Sequence, residues 1–372
     1  MAVFVKQILI GILGNVINAQ AIAIILLNAA ADRSTINSTA RRSESGLKAP
    51  AIRHHVRKLK GKGALIAEQV NRLLLQQTRT LLKPGKPYEF AIDTNEKEIY
   101  TPKEAKYIIK SKAKKGTCKF ISHATLYAMV GKKRITIAFV RVRKGMSRAE
   151  IVRELVGVLQ NEGLCIKRLY LDRGFYSVAV VQYFKSLDVN AILAMPIKGK
   201  KKGLKSRLKG RKSYWINDYE ASSNVTGKKQ SVTHSVAAIA TYQKGRRGKR
   251  GLRWNTFTVI GEQISLKRIR NVYRGRFGIE TSYRIKNQSL GWTTSPMPEM
   301  RTLYFGISLL LQNEWISVNW FYFRERRRGR PGGKPKLPFG DFLELLIEGC
   351  KDVLGRLERI EVIYWHPGGS FG

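Results

Sequence analysis

Arg168-Leu169-Tyr170-Leu171-Asp172-Arg173-Gly174-Phe175-Tyr176 decides how the rest of the sequence is read. Leu169 to Leu171 form an apolar run short enough for a buried strand, and Asp172 stands at its carboxyl edge, where open α/β sheets place their sites. Ser177 is better placed than Asp172 to cap the helix expected over Val178 to Leu187, so helix capping does not account for the carboxylate. Another short strand follows at Ala191 to Met195. Upstream, Ser147 and Glu150 form the ends of a capping box ahead of Ile151, Leu155 and Val158, and Gly163 closes that helix. Earlier still, Tyr88 to Asp93, Ala124 to Val130 and Ile135 to Val142 have the period of strands. The order β-β-β-α-β-α-β predicts an α/β fold, a mixed sheet flanked by helices.

On either side the pattern changes. Residues 1–85 read as helical: an uncharged segment from Gln7 to Ala31, a polar break at Ser34 to Ser45, and a basic helical stretch from Ile52 to Leu82. Asn15, Asn18, Gln20 and Asn28 interrupt the uncharged segment, so a buried helix is expected there rather than a membrane span, and the protein is expected in the cytoplasm. Lys198 to Lys212 holds nine basic residues in fifteen and Lys244 to Arg253 six in ten, with no acid in either. The strand-like pieces between them, Tyr214 to Ile216 and Val232 to Thr241, predict a β-rich insertion over 199–258. A helix is expected from Ser265 to Gln288 and a long apolar one from Met300 to Phe323. Arg324 to Lys336, with seven basic residues and one acid, reads as a phosphate-binding arm, and Phe342 to Ile360 as a closing helix. The division expected is thus a helical region at 1–85, the first part of the mixed-sheet domain at 86–198, the insertion at 199–258, a second part of that domain at 259–325, and the arm with its helix at 326–372.

Composition narrows the partner. The 372 residues carry 69 Lys and Arg against 26 Asp and Glu, a formal charge of +43, and so one-sided a field repels itself unless a polyanion accompanies it. With 43% hydrophobic residues the chain has the apolar surface to fold. Cys118, Cys165 and Cys350 lie far apart with no C-x-x-C pair, which encodes neither a zinc knuckle nor a disulfide framework locally.

In so basic a chain the informative residues are acids placed where acids are costly. Asp172 is one. Asp93 repeats its arrangement after Phe90-Ala91-Ile92. Glu280 lies on the expected helix with Tyr273, Arg276, Tyr283, Arg284 and Asn287 on one side, although i±4 pairing with Arg276 and Arg284 is an alternative use for it. Three carboxylates are the number needed to hold two hard divalent cations, and two such ions assist an in-line displacement at phosphorus.

These residues resemble the DDE transposases of prokaryotic insertion sequences, the branch with a Tyr-Arg-Glu-Lys signature. The matching features are Asp93 in Phe-Ala-Ile-Asp-Thr, Asp172 in Leu-Tyr-Leu-Asp-Arg-Gly-Phe-Tyr, and Tyr273-x-x-Arg276-x-x-x-Glu280. The 107 residues between Asp172 and Glu280 also match that branch, in which a β-rich insertion separates the two acids. The signature's Lys falls on Asn287, with Lys286 one position early. The resemblance implies an RNase H-like fold and two Mg²⁺ or Mn²⁺ ions held by Asp93, Asp172 and Glu280. It implies hydrolytic nicking at the element's terminal inverted repeats and attack of the freed 3′-hydroxyl on double-stranded target DNA, by a homodimer. Arg276 and Tyr273 would hold a phosphate and Trp215 or Trp254 a flipped base. Tyr283, Arg284, Lys286, Arg173, Lys200, Lys201, Lys202, Arg246 and Arg247 complete the expected DNA contacts. A nuclease or resolvase that cuts without joining, and a non-catalytic nucleic-acid-binding protein, are the competing readings.

Overall fold

Along the first strand, Tyr88–Glu98 (β1), side chains alternate between two interiors: Phe90 and Ile92 enter one core and Ala91 the other. A strand buried on both faces must lie inside a sheet covered on both sides. That sheet has nine strands in the computed structural model, which describes residues 1–14, 18–43, 45–102, 105–199, 203–225, 228–246, 251–323 and 336–354. β1 pairs antiparallel with β3 (Thr117–Val130) and parallel with β5 (Ile166–Leu171), which pairs parallel with β6 (Ala191–Met195). The far edge of β3 is shared by β2 (Ile109–Lys114) and β4 (Lys133–Arg141). The order β4-β3-β1-β5-β6 is the RNase H-like mixed sheet.

The expected inserted β subdomain is instead a continuation of this sheet. β9 (Leu252–Ile260) pairs antiparallel with β6, then β8 (Lys228–Tyr242) with β9 and β7 (Tyr214–Val225) with β8. Two strands were not legible: β2, whose Ile109-Lys-Ser-Lys-Ala-Lys has almost no apolar pattern, and β9, which directly follows a basic run. One turn of helix, Leu204–Arg207, precedes β7.

Helices cover the two faces. Numbered in chain order, they are α1 (Ala2–Leu13), α2 (Ala19–Ala31), α3 (Ile36–Arg41), α4 (Ala49–Arg57), α5 (Gly63–Leu81), α6 (Arg148–Asn161), α7 (Val178–Ser186), α8 (the turn at Leu204–Arg207), α9 (Leu266–Arg274), α10 (Gly278–Lys286), α11 (Pro298–Phe321) and α12 (Phe339–Leu354). α6 starts on the expected Ser147–Glu150 capping box and α7 on the Ser177 cap, and both pack on the core that receives Phe90 and Ile92. The uncharged N-terminal segment is two helices, not one: Gly14 and Asn18 take left-handed φ values of 73° and 61°, which end α1 and open α2. Among the described residues no helix is long and apolar enough to cross a membrane. The arm at 324–335 and the end of the closing helix past Leu354 lie outside the described residues.

α1, α2, α4, α5, α11 and α12 share a second core. α5 presents Ile66, Val70, Leu73, Leu74 and Gln77 at helical spacing, and α11 meets it at Gly306, where a Cβ would lie 2.6 Å from a Val70 methyl. Two asparagines fasten this helical layer to β4. Asn71 of α5 accepts from the Phe139 N–H at 2.9 Å and donates to the Phe139 carbonyl at 2.9 Å. Asn313 of α11 does the same to Thr136, at 2.9 and 2.8 Å. Each carboxamide thus takes the place of a neighbouring strand on the edge of β4. Asn313→Leu should leave a buried N–H and C=O unpaired and cost about 2–4 kcal/mol; urea denaturation of the variant measures it, with a fall in midpoint and little change in slope.

Candidate active site

The parallel register of β1 and β5 sets Ile92 opposite Leu171, where their pairing ends, so the next residues, Asp93 and Asp172, are neighbours; Asp172 follows the end of β5, whereas Asp93, expected at a strand end, lies midway along β1, which runs on to Glu98 against β3. Alternation then decides where they point. Asp93 shares its face with Ala91, and Asp172 with Tyr170, both in the core that α9 and α10 cover. Between the two carboxylates lies one guanidinium. Arg276 donates to Asp93 Oδ2 at 3.2 Å and to Asp172 Oδ1 at 2.8 Å. Its Nε donates to the Tyr273 hydroxyl at 3.2 Å, and that hydroxyl donates to the Leu171 carbonyl at 3.0 Å. Tyr273 therefore ties the end of β5 to the arginine that bridges the acids.

The electrostatics follow from burial. Asp93 is mostly buried, and desolvation raises its pKa despite Arg276 and the Thr94 N–H that donates to Oδ1 at 2.9 Å. Burial works against the charge of Arg276, but Tyr273 and the two carboxylates outweigh it and its pKa is raised. Burial likewise pushes Tyr273 up to about 12. Asp172 is more open, its side chain 44% exposed, and faces a cleft of about 470 Å³ lined by Arg173, Arg270, Tyr273, Arg274 and Arg276. A pair of carboxylates already gathered around one cation is a donor set that hard divalent ions take.

The third acid is not with them. The helix expected as one piece from Ser265 to Gln288 is broken by a 3₁₀ turn, Gly275–Phe277, between α9 and α10. Three residues at three per turn instead of 3.6 advance the helix face by about 60°. The expected stripe divides accordingly: Tyr273, Arg276 and Tyr283 are buried, whereas Glu280 and Arg284 are exposed. Glu280 pairs with neither Arg276 nor Arg284. Among the described residues no three His, Cys, Asp or Glu side chains are gathered closely enough to hold a metal ion.

Tyr283 bonds Thr125 Oγ1 at 2.7 Å, and Thr125 lies directly across β3 from Asp93. That places Tyr283 in the wall of the site. Lys286 has no exposed surface: its ammonium lies 4.1 Å from the centroid of Phe305 with no hydrogen-bond partner, so it reaches no solvent and no backbone phosphate in this conformation. Asn287 is half-buried. Trp215 packs on the face that carries Asp93, and Trp254 on the opposite face, edge-on to Tyr214 at 5.6 Å. Arg173 and Arg246 are exposed. Lys200, Lys201, Lys202 and Arg247 lie outside the described residues. Sequence reasoning missed Thr125, Arg270 and Arg274. The two arginines had a signal, since the basic residues of α9 interleave with its buried Ile269 and Tyr273.

A family model described as a transposase DDE domain matches residues 85–311. Among solved structures, the chain is similar to a piggyBac transposase in its synaptic complex with hairpin DNA, at a TM-score of 0.57 and 12% identity, over 90% of this chain and 72% of that one. At that identity the likeness is one of fold. No curated protein matches the sequence.

Burial lowers the Lys286 pKa to about 7, and the charge of Lys97 adds to this. An unfolded lysine titrates near 10.4, so the ammonium is disfavoured in the folded state: the penalty is full below pH 7, shrinks as the pH rises, and vanishes above the unfolded value. Each unit of displacement is worth about 1.4 kcal/mol. Lys286→Met should therefore stabilise the fold by about 2–4 kcal/mol at pH 7 and by much less at pH 10, read from denaturation midpoints at the two values.

Proposed function

The chain belongs to the family of transposase DDE domains, and on that premise we propose that it is the DNA transposase of an insertion sequence, of the branch with the Tyr-Arg-Glu-Lys signature. The observation that carries the reading is the single guanidinium shared by Asp93 and Asp172 where the pairing of β1 and β5 ends, beside a cleft lined with arginines. A mostly buried carboxylate such as Asp93, set beside a second one, is retained at a cost, and cation binding next to a polyanion is a use that requires the pair.

In this reading Asp93 and Asp172 hold divalent cations, Mg²⁺ or Mn²⁺, and Glu280 joins them when α10 turns its exposed face toward the pair. Two such ions, when bound, lower the barrier for both the attacking and the leaving oxygen of an in-line displacement. The residues of the chain do the rest. Asp93 is fixed by the Thr94 N–H and by its place in β1, so its oxygens arrive already oriented. Arg276 and Tyr273 receive the phosphate beside the cut bond, and Trp215, on the face of Asp93, is better placed than Trp254 to meet an unstacked base. Cutting at an element end adds water across a phosphodiester: the water oxygen bonds to phosphorus, the bond to the 3′ oxygen breaks, and that oxygen leaves as a hydroxyl. Joining reverses the roles, since the 3′-hydroxyl attacks a target phosphorus and displaces its 3′ oxygen, so one phosphodiester replaces another and no external energy is needed.

The helical region 1–85, the continuation of the sheet at 199–258 and the basic residues after 325 would hold the terminal inverted repeats and the target. A homodimer would bring two ends together. Asp172→Asn and Glu280→Gln should each abolish Mn²⁺-dependent cleavage of an element-end duplex while leaving its binding intact or slightly tighter, because each removes a negative charge near the backbone. Retained cutting in either variant defeats the site. Cutting by the unaltered protein with no joining of a labelled 3′ end to a circular target would leave a nuclease instead.

A further inference from the structure

Arg173, Arg270 and Arg274 stand exposed around the cleft next to Asp172, and none of their side chains has an ion-pair or hydrogen-bond partner among the described residues. The buried Arg276 at the head of the same cleft is by contrast engaged by two carboxylates and the Tyr273 hydroxyl. Arg270 and Arg274 lie one turn apart on α9, about 6 Å along the helix axis, so they are spaced for successive phosphates of a strand rather than for a single anion. Their helix is held from beneath by Ile269 and Tyr273, both buried. The cleft is therefore a concentrated, unneutralised positive field on a rigid support, with the acid pair at one end.

We propose that this cleft is a slot for one phosphodiester strand, gripped by Arg173, Arg270 and Arg274, and that Arg276 couples occupancy of the slot to metal binding at Asp93 and Asp172. The proposal rests on reading those two aspartates as metal ligands. With the slot empty, the Arg276 guanidinium bridges both carboxylates, and an incoming divalent cation meets a like charge where it must bind. A phosphate in the slot offers Arg276 another anion. As the guanidinium turns to it, the aspartates lose their shared cation and their mutual repulsion then favours a metal. Linkage makes the effect reciprocal: whatever factor the strand adds to metal affinity, the metal adds to strand affinity. The chain would thus load metal at a strand and stay unloaded away from one.

The test uses the full chain, Mn²⁺ binding followed by electron paramagnetic resonance, and a short single-stranded oligonucleotide whose binding is followed by fluorescence anisotropy. The oligonucleotide should tighten Mn²⁺ binding at least about fivefold, and Mn²⁺ should tighten oligonucleotide binding by the same factor. The double variant Arg270→Gln, Arg274→Gln, which changes only exposed side chains, should weaken strand binding and reduce the salt slope by roughly 0.7 for each lost phosphate contact, while Mn²⁺ affinity of the free chain, relieved of two nearby positive charges, should stay the same or tighten slightly. Arg276→Gln should bind Mn²⁺ tightly with no strand present and lose the coupling. Arg276→Lys, which retains the charge but not the two-pronged bridge, should shift the same way by less and serves if the Gln variant does not fold. An unchanged salt slope in the double variant overturns the slot, and equal Mn²⁺ affinities with and without strand overturn the coupling. If the unaltered chain binds no Mn²⁺ under either condition, or Asp172→Asn leaves its binding as it was, the metal reading of the aspartates fails and the coupling with it, while the salt slope still decides the slot.

Discussion

Two carboxylates side by side, one midway along β1 and the other just past the end of β5, are the constraint around which this site is organised. Their proximity follows from strand register alone: once Ile92 is set opposite Leu171, the next residues on the same face must be neighbours. Like charges so close, one of them largely buried, need a cation, and the chain supplies it from sequence 104 residues beyond Asp172, through Arg276. The guanidinium can reach because α9 is pinned by Tyr273 to the last carbonyl of β5. Below the site, Arg168, almost fully buried, pairs with Glu89 at 2.7 Å and with Glu262, so a second ion cluster ties β1, β5 and the segment after β9 together one step back along the same face.

The catalytic face was legible because it obeys local rules. Asp93 and Asp172 follow short apolar runs, and alternation fixes their direction once those runs are strands. The Ser147–Glu150 box and the Ser177 cap could be placed from the sequence because each joins residues three apart. What resisted reading was set by partners far along the chain. β2 has too little apolar pattern to stand alone and exists by pairing with the first part of β3. β7 and β8 looked separate, since basic runs stand on either side of them, yet β9, hidden behind the second run, pairs along the whole of β6 and joins them to the sheet. In the uncharged N-terminal segment a helix of 25 residues was as consistent with composition as two of half that length; Gly14 and Asn18, both at positive φ, decide for two.

The two asparagine clamps show why the N-terminal helices are part of this architecture rather than an appendage. An edge strand such as β4 offers unpaired N–H and C=O groups to any passing strand. Asn71 and Asn313 answer those groups with side chains from two different helices, and Gly306 lets those helices approach closely enough for both to do so. The same layer supplies Phe305, against which His123 stacks at 4.1 Å between centroids, and His123 lies two residues along β3 from Thr125. The wall of the site is thereby continuous with the helical core.

Glu280 differs from the two aspartates in how its position is determined. Asp93 and Asp172 are fixed by strand register, so displacing them means breaking backbone pairing. Glu280 sits on a nine-residue helix hung between two 3₁₀ turns, Gly275–Phe277 and Asn287–Ser289. Hydrogen bonds in such turns are poorer and the phase of the helix depends on them, so converting one turn to α geometry rotates Glu280 by tens of degrees without disturbing the sheet. What opposes that rotation is also visible: Tyr283 is bonded to Thr125. A buried lysine whose pKa is near neutrality regains an ammonium when it reaches water or a phosphate. Burial of Lys286 beside Phe305 therefore works against the present phase of α10, and a polyanion would favour its release. The asymmetry between two acids set by a sheet and a third set by an adjustable helix is thus a property of the backbone, prior to any ligand.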